Sequence, residues 1–294
     1  MLLTFLSHQW NGFWRSRNKG SHIAVQVIMG LLVLYILACA LLVGIGMEAI
    51  ITQLLPDKDV TMVFNGFILY YFAVDFLMRL QLQELPTLAV VPYLHLNIRK
   101  KQLVNFLNIS SLFSAFNLIP IFIFFPFCVL EIAETSGSFV SIMYMVAVFS
   151  LAIINNYLAL YVKRLSTASA RFVFVGLLLL LSLAALEYYQ VFSIAEFSNQ
   201  VFLLLAQQPL AGLVFPIIAL VIFMVNANYL KRNLYIEELS TGEKLKSATD
   251  YPFLDRFGEV GTLAAMEIKL ILRNKRSKST VSKGLIFVFY GFLF

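Results

Sequence analysis

The chain is 294 residues long, 60% hydrophobic and only 13% charged, whereas a soluble domain is about 45–50% apolar and about 25% charged. That balance excludes an ordinary soluble domain and marks an integral membrane protein. The formal charge of +6 does not mark a nucleic-acid binder either, because the cations gather in short stretches between long apolar runs.

Repeated runs of about 20 apolar residues describe one all-α bundle of membrane-crossing helices. Their continuous rather than alternating hydrophobicity excludes a β-barrel. Residues 1–14 place Leu2, Leu3, Leu6, Trp10, Phe13 and Trp14 at helical spacing. The run is too short to cross, so residues 1–22 are expected to form an interfacial amphipathic helix with a basic end at Arg15, Arg17 and Lys19. Cations after the first apolar run are the reverse of a signal peptide.

Residues 23–47 form the first expected crossing. The basic cluster precedes it and Glu48, Asp57 and Asp59 follow it, which puts the amino terminus in the cytoplasm. Residues 61–80 cross back and carry Asp75 and Arg79 four positions apart, on one helix face, where each charge offsets the other's desolvation. Two roles stay open for the pair: snorkelling to the cytoplasmic rim, or gating and transport.

The loop that follows holds Glu84, Pro86, Pro92, His95 and the run Arg99, Lys100, Lys101. Three adjacent cations cannot sit in hydrocarbon, so this loop fixes a side of the membrane. Residues 104–130 cross outward with Pro120 and Pro126 inside them, and such prolines free carbonyls and bend a helix. Residues 139–162 return with Asn155 and Asn156. Adjacent amides point to different sides of a helix, so at least one is expected to hydrogen-bond a neighbouring helix, worth about 1 kcal/mol.

Lys163, Arg164 and Arg171 make the next inner loop, and residues 172–186 cross out. Residues 187–208 are the longest outer segment, with room for a re-entrant or interfacial piece. The sixth crossing, 210–230, is interrupted by Pro216 and ends at Lys231 and Arg232. Of the 22 Lys and Arg, this arrangement leaves only Lys58 outside, while Glu48, Asp57, Asp59, Glu131, Glu134, Glu187 and Glu196 all fall there. A six-span domain over residues 23–230 with both ends inside follows.

Residues 231–262 are polar and contain Gly242, Pro252, Gly258 and Gly261, as a cytoplasmic linker would. The opening pattern then returns. Ile268, Ile271, Leu272 and Arg273 to Arg276 stand in step with Trp10, Phe13, Trp14 and the residues up to Asn18, and an apolar run begins at Leu285. That run ends at Phe294 after about 10 residues, roughly 15 Å of helix, which is short of a hydrocarbon core of about 30 Å. Residues 263–294 are therefore expected to begin a second, similar half of a longer protein.

An interfacial helix with a basic end, six crossings and a short basic loop between the second and third resemble the permease subunits of type-2 ABC exporters. In those proteins the loop carries an apolar-Pro-apolar motif, then a polar or basic pair, then the third crossing. Here Leu96, Asn97, Ile98, Arg99, Lys100, Lys101, Gln102, Leu103 and Val104 occupy the matching places, with Asn97 where the motif has proline. Residues 84–106 and 267–276 look like those of an uncharacterised family of large bacterial membrane proteins related to such permeases. The resemblance implies that the interfacial helix and the loop holding Glu84, Pro92, His95, Asn97, Arg99, Lys100 and Lys101 dock a separate ATP-binding subunit.

No phosphate-binding glycine loop occurs, and Gly242-Glu243-Lys244 lacks the upstream glycine. His8, His22 and His95 lie at borders or in loops, Asp75 is the lone aspartate in an apolar run, and Cys39 and Cys128 lie within apolar runs. No catalytic residue, cofactor or metal is expected.

The expectation is a non-enzymatic permease of the bacterial cytoplasmic membrane that moves a hydrophobic or amphipathic substrate. Its expected partners are the lipid bilayer, an ATP-binding subunit, and either a second permease half or another copy. Two alternatives stay open. One is a secondary transporter with its site at broken helices around Pro120, Pro126 or Pro216. The other is a membrane-integral enzyme whose catalytic residues lie in the missing half.

Overall fold

The computed structural model describes residues 7, 11, 20–83, 85, 100–168, 193–241 and 258–273, and every regular element among them is helical. In chain order these are α1 (Gly20–Ile45), α2 (Met47–Leu54), α3 (Val60–Leu82), α4 (Lys100–Leu112), α5 (Ala115–Phe127), α6 (Ser138–Ala168), α7 (Ile194–Gln207), α8 (Val214–Thr241) and α9 (Gly258–Arg273). Helix α5 runs on through a π-helical turn, Cys128–Ile132, and a last α-turn, Ala133–Ser136. A 3-10 turn, Pro209–Leu213, leads into α8. Met1–Asn233 form one compact unit and Leu234–Phe294 a second.

Four helical stretches among the described residues are long and apolar enough to cross a membrane: Val60–Leu80, Ala115–Ser136, Ser138–Leu165 and Pro209–Asn233. A fifth is added if Gly30–Ile45 and Met47–Leu54, bent by 60°, count as one. The expected crossing at 172–186 lies outside the described residues. So does most of the expected interfacial helix, of which Ser7 and Asn11 are helical and exposed.

The described helices correct the expected ones in three places. The first crossing does not run straight to Met47; α1 stops at Ile45 and the chain bends at Gly46 into α2. The third crossing is broken, because α4 stops at Leu112 and α5 starts only at Ala115. A local cause is at hand: Ser111 Oγ donates to the Asn108 carbonyl at 2.7 Å, and the Phe113 amide closes a tighter turn onto Ser110 at 3.2 Å. Serines in such numbers compete with the helical ladder. Finally, α6 runs to Ala168 and carries Lys163 and Arg164 inside a helix, and α8 runs to Thr241, well into the expected linker.

Within the first unit, α1 lies along α5, α7 lies along α3, and α6 packs against both α3 and α5. Helices in lipid gain little from the hydrophobic effect and associate through close contact and hydrogen bonds, so small residues mark the closest approaches. Gly44 is one: a methyl group there would stand 2.5 Å from the Ile123 carbonyl oxygen and 2.7 Å from that of Phe122. Pro126 has no N–H to offer the Phe122 carbonyl, and α1 supplies the surface that covers it.

Ser198 makes the second close approach. Its hydroxyl donates to the Asn65 carbonyl and accepts from the Leu69 amide at 3.3 Å, entering the hydrogen-bond ladder of α3. Helix α7 is itself capped by Ser193, whose Oγ accepts from the Glu196 amide at 3.3 Å. It falls within residues 187–208, where a re-entrant or interfacial piece is expected, and it buries Phe202 and Leu205 in the bundle.

The core between these helices is aromatic. Phe64 stacks on Phe127 with centroids 3.9 Å apart and meets Phe124 edge-on at 5.8 Å. Tyr71 meets Phe124 edge-on at 5.0 Å. Opposite them, Tyr144 lies 5.4 Å from Phe202 and donates its hydroxyl to the Phe202 carbonyl at 2.8 Å. Beyond this core the acids Glu48, Glu134 and Asp59 lie near enough to Glu131 to repel its charge.

Candidate functional site

Past Phe72 the neighbours of α3 change from aromatic rings to polar side chains. Asp75 and Arg79 are one helical turn apart, and the Arg79 Nε donates to Asp75 Oδ2 at 2.6 Å. The pair does not reach for an open rim: Arg79 has no exposed surface at all and Asp75 is 8% exposed. A guanidinium enclosed in this way needs its other donors matched, and they are. Nη1 donates to Asn117 Oδ1 at 2.7 Å and Nη2 to the Phe116 carbonyl at 2.6 Å, with the Phe116 ring 5.7 Å from Cζ.

The Phe116 carbonyl is available for a definite reason. In a regular helix it would accept from the amide four residues on, and that residue is Pro120, which has none. Arg79 supplies the missing donor, so α3 restores the hydrogen bond that a proline removes from α5. Asn117 completes the joint by donating to the Leu112 carbonyl at 2.9 Å, across the break between α4 and α5. From α6, Asn155 Nδ2 donates to Asp75 Oδ2 at 2.7 Å and to the Phe72 carbonyl at 2.8 Å.

A second chain of bonds runs alongside the first. Gln83, at the end of α3, donates from Nε2 to Asn156 Oδ1 at 2.7 Å, and its carbonyl accepts from Lys163. Asn156 Nδ2 donates to Ser111 Oγ at 3.1 Å, and the Tyr157 hydroxyl donates to the Asn108 carbonyl at 3.1 Å. Asn226 of α8 donates to Asn108 Oδ1 at 3.0 Å and accepts from Arg164 Nη1 at 2.6 Å. Thus α3, α4, α5, α6 and α8 are tied by polar bonds at one level of the bundle. The network is not fully matched, since Gln83 Oε1 and Asn108 Nδ2 are buried without a partner, at a cost of about 1–3 kcal/mol each.

Beside this joint a recess of about 270 Å³ opens at the α4–α5 break, lined by Gln83, Ser110, Ser111 and Ser114 together with Phe113 and Phe116. Hydroxyls and aromatic rings share its wall.

The structure brings together all four expected intramembrane polar residues, Asp75, Arg79, Asn155 and Asn156, and both asparagines reach another element rather than one. Of the expected coupling loop, Lys100 and Lys101 open α4 and are exposed, while Glu84, Pro92, His95, Asn97 and Arg99 lie outside the described residues. Sequence reading missed Asn108, Asn117 and Asn226. Each is an amide inside an apolar run, and that isolation is the signal that could have found them.

The sequence from residue 9 to residue 294 matches a family of unknown function (DUF5687), and with nearly the whole chain matched, the chain belongs to that family. No curated protein and no solved structure matches it.

Proposed function

We propose that this chain is the permease component of an ABC-type exporter in the bacterial cytoplasmic membrane, with its amino terminus in the cytoplasm and six crossings in the domain. It moves a hydrophobic or amphipathic substrate outward, using a separate ATP-binding subunit. The observation that carries this reading is the polar joint around Arg79. The connection between α3 and α4 leads into the basic run, of which Lys100 and Lys101 open α4, and the two helices it joins are fastened to α5, α6 and α8 by buried hydrogen bonds. A partner pressing on that connection would move several helices as one body.

The unpaired Gln83 Oε1 and Asn108 Nδ2 give the joint a reason to hold two arrangements, since a second state can satisfy atoms that this one leaves unpaired. Among the described residues the exposed faces of the crossing helices are largely apolar, which offers ions or sugars few ligands, whereas the mixed wall of the recess suits an amphipath. Purification in mild detergent should recover an ATP-binding subunit, and reversing the charge of Lys100 and Lys101 should release it. Repeated recovery of none overturns the reading.

Asp75 favours a second reading, a secondary transporter, because an acid within a crossing helix is a common device of proton-coupled carriers. Transport that survives without ATP but collapses with the proton gradient would select it.

A further inference from the structure

Helix α9, in the second compact unit, wears its side chains the wrong way round for a helix packed only against protein. Val260, Leu263, Met266 and Leu270 are 74%, 63%, 60% and 61% exposed, while Gly261 and Ala265 are buried. These four bulky residues recur at helical spacing and form one stripe, so the bulkiest described apolar side chains of α9 stand mostly exposed. Glu267, exposed, falls in the same arc between Leu263 and Val260, and Lys269, half-buried, lies away from the centre of the stripe.

We propose that this stripe lies on the surface of the bilayer, seated among the headgroups of the leaflet next to α9. A crossing is ruled out by length and charge, since 16 residues span about 24 Å and include Glu267 and Lys269. At headgroup depth, about 5–10 Å into the boundary, aliphatic side chains leave water while the Glu267 carboxylate and, at the end of its stem, the Lys269 ammonium still reach it.

Charge selects lipid over a protein groove. Lys269 and Arg273 are followed in sequence by Lys275, Arg276 and Lys278, and anionic lipid attracts each such cation by about 1 kcal/mol. Helix α8, whose start is apolar enough to cross a membrane, ends at Thr241, and α9 begins at Gly258, later in the same chain.

The test uses the full chain in nanodiscs of phosphatidylethanolamine and phosphatidylglycerol, with Cys39→Ala removing the accessible native thiol while Cys128 stays buried. A bimane label is placed through Leu263→Cys or, on the other side, Lys269→Cys. Lipids brominated near the ester end of the acyl chain should quench the first label about threefold more than the second, as an interfacial helix requires. Equal quenching at both sites, or none at the first, overturns the proposal. Covering of the stripe by another copy would appear as no lipid quenching together with label-to-label quenching. Size-exclusion elution matching the parent chain confirms that each variant is folded.

Discussion

Helix α3 is held to its neighbours in two different ways along its length. Around Phe64 it meets α5 through aromatic rings, with Phe127 stacked and Phe124 edge-on. Around Arg79 it meets the same α5 through hydrogen bonds to Asn117 and to the Phe116 carbonyl. Phe72 joins the two regimes: its ring is 6.0 Å from that of Phe124, and its carbonyl accepts from Asn155.

The difference teaches where movement can be stored. Ring contacts change gradually and tolerate substitutes of similar volume. Hydrogen bonds out of reach of water change only by exchanging one partner for another, so the Arg79 end is either held or switched.

The largest expected effect breaks that contrast at its polar side. Arg79→Leu leaves the Asp75 carboxylate enclosed without its cation and frees the Phe116 carbonyl, and losing one partner of a buried pair costs about 3–5 kcal/mol. Steric trapping or unfolding in mixed detergent micelles measures it, and a loss under about 1 kcal/mol would place Arg79 at an open surface.

The aromatic side should answer more gently to shape-preserving change. Phe124→Ala should cost about 3 kcal/mol and Phe124→Leu under about 1.5 kcal/mol in the same assay. Arg79→Lys, which keeps the charge but not the fork of donors, should not be spared in that way. Equal tolerance at both residues would erase the distinction between the two ends.

Gly44→Ala comes next. Its methyl group would collide with two backbone carbonyls rather than with a flexible side chain, so α1 must draw back from α5 at about 1–3 kcal/mol. Cross-linking yield between cysteines placed on α1 and α5 should fall with it.

The smallest effect sharpens the account of Pro120. Pro120→Ala returns an N–H to α5, so the Phe116 carbonyl no longer depends on Arg79. In the Arg79→Leu background it should recover about 1 kcal/mol, read as the coupling energy of a double-mutant cycle. Strict additivity would detach the proline from the arginine.

Much of this was legible in the chain. Asp75 and Arg79 pair because residues four apart share a helix face, which is a local fact. Asn155 and Asn156 were legible as groups that apolar surroundings force to find partners. Less was legible at 104–130, where the hydropathy of the whole run conceals the serines that end α4 at Leu112. Asn108 was passed over because no short-range rule says what it meets; its partners Tyr157 and Asn226 come from α6 and α8.

The sequence by itself determined that the chain is helical and which stretches suit hydrocarbon, because the cost of solvating a side chain depends chiefly on the side chain and its near neighbours. Only the tertiary structure decided that Arg79 mends the gap left by Pro120 and that Asn226 reaches Asn108. A hydrogen bond needs its two groups within about 3 Å, and helices distant in sequence meet at that distance only after the whole bundle has packed.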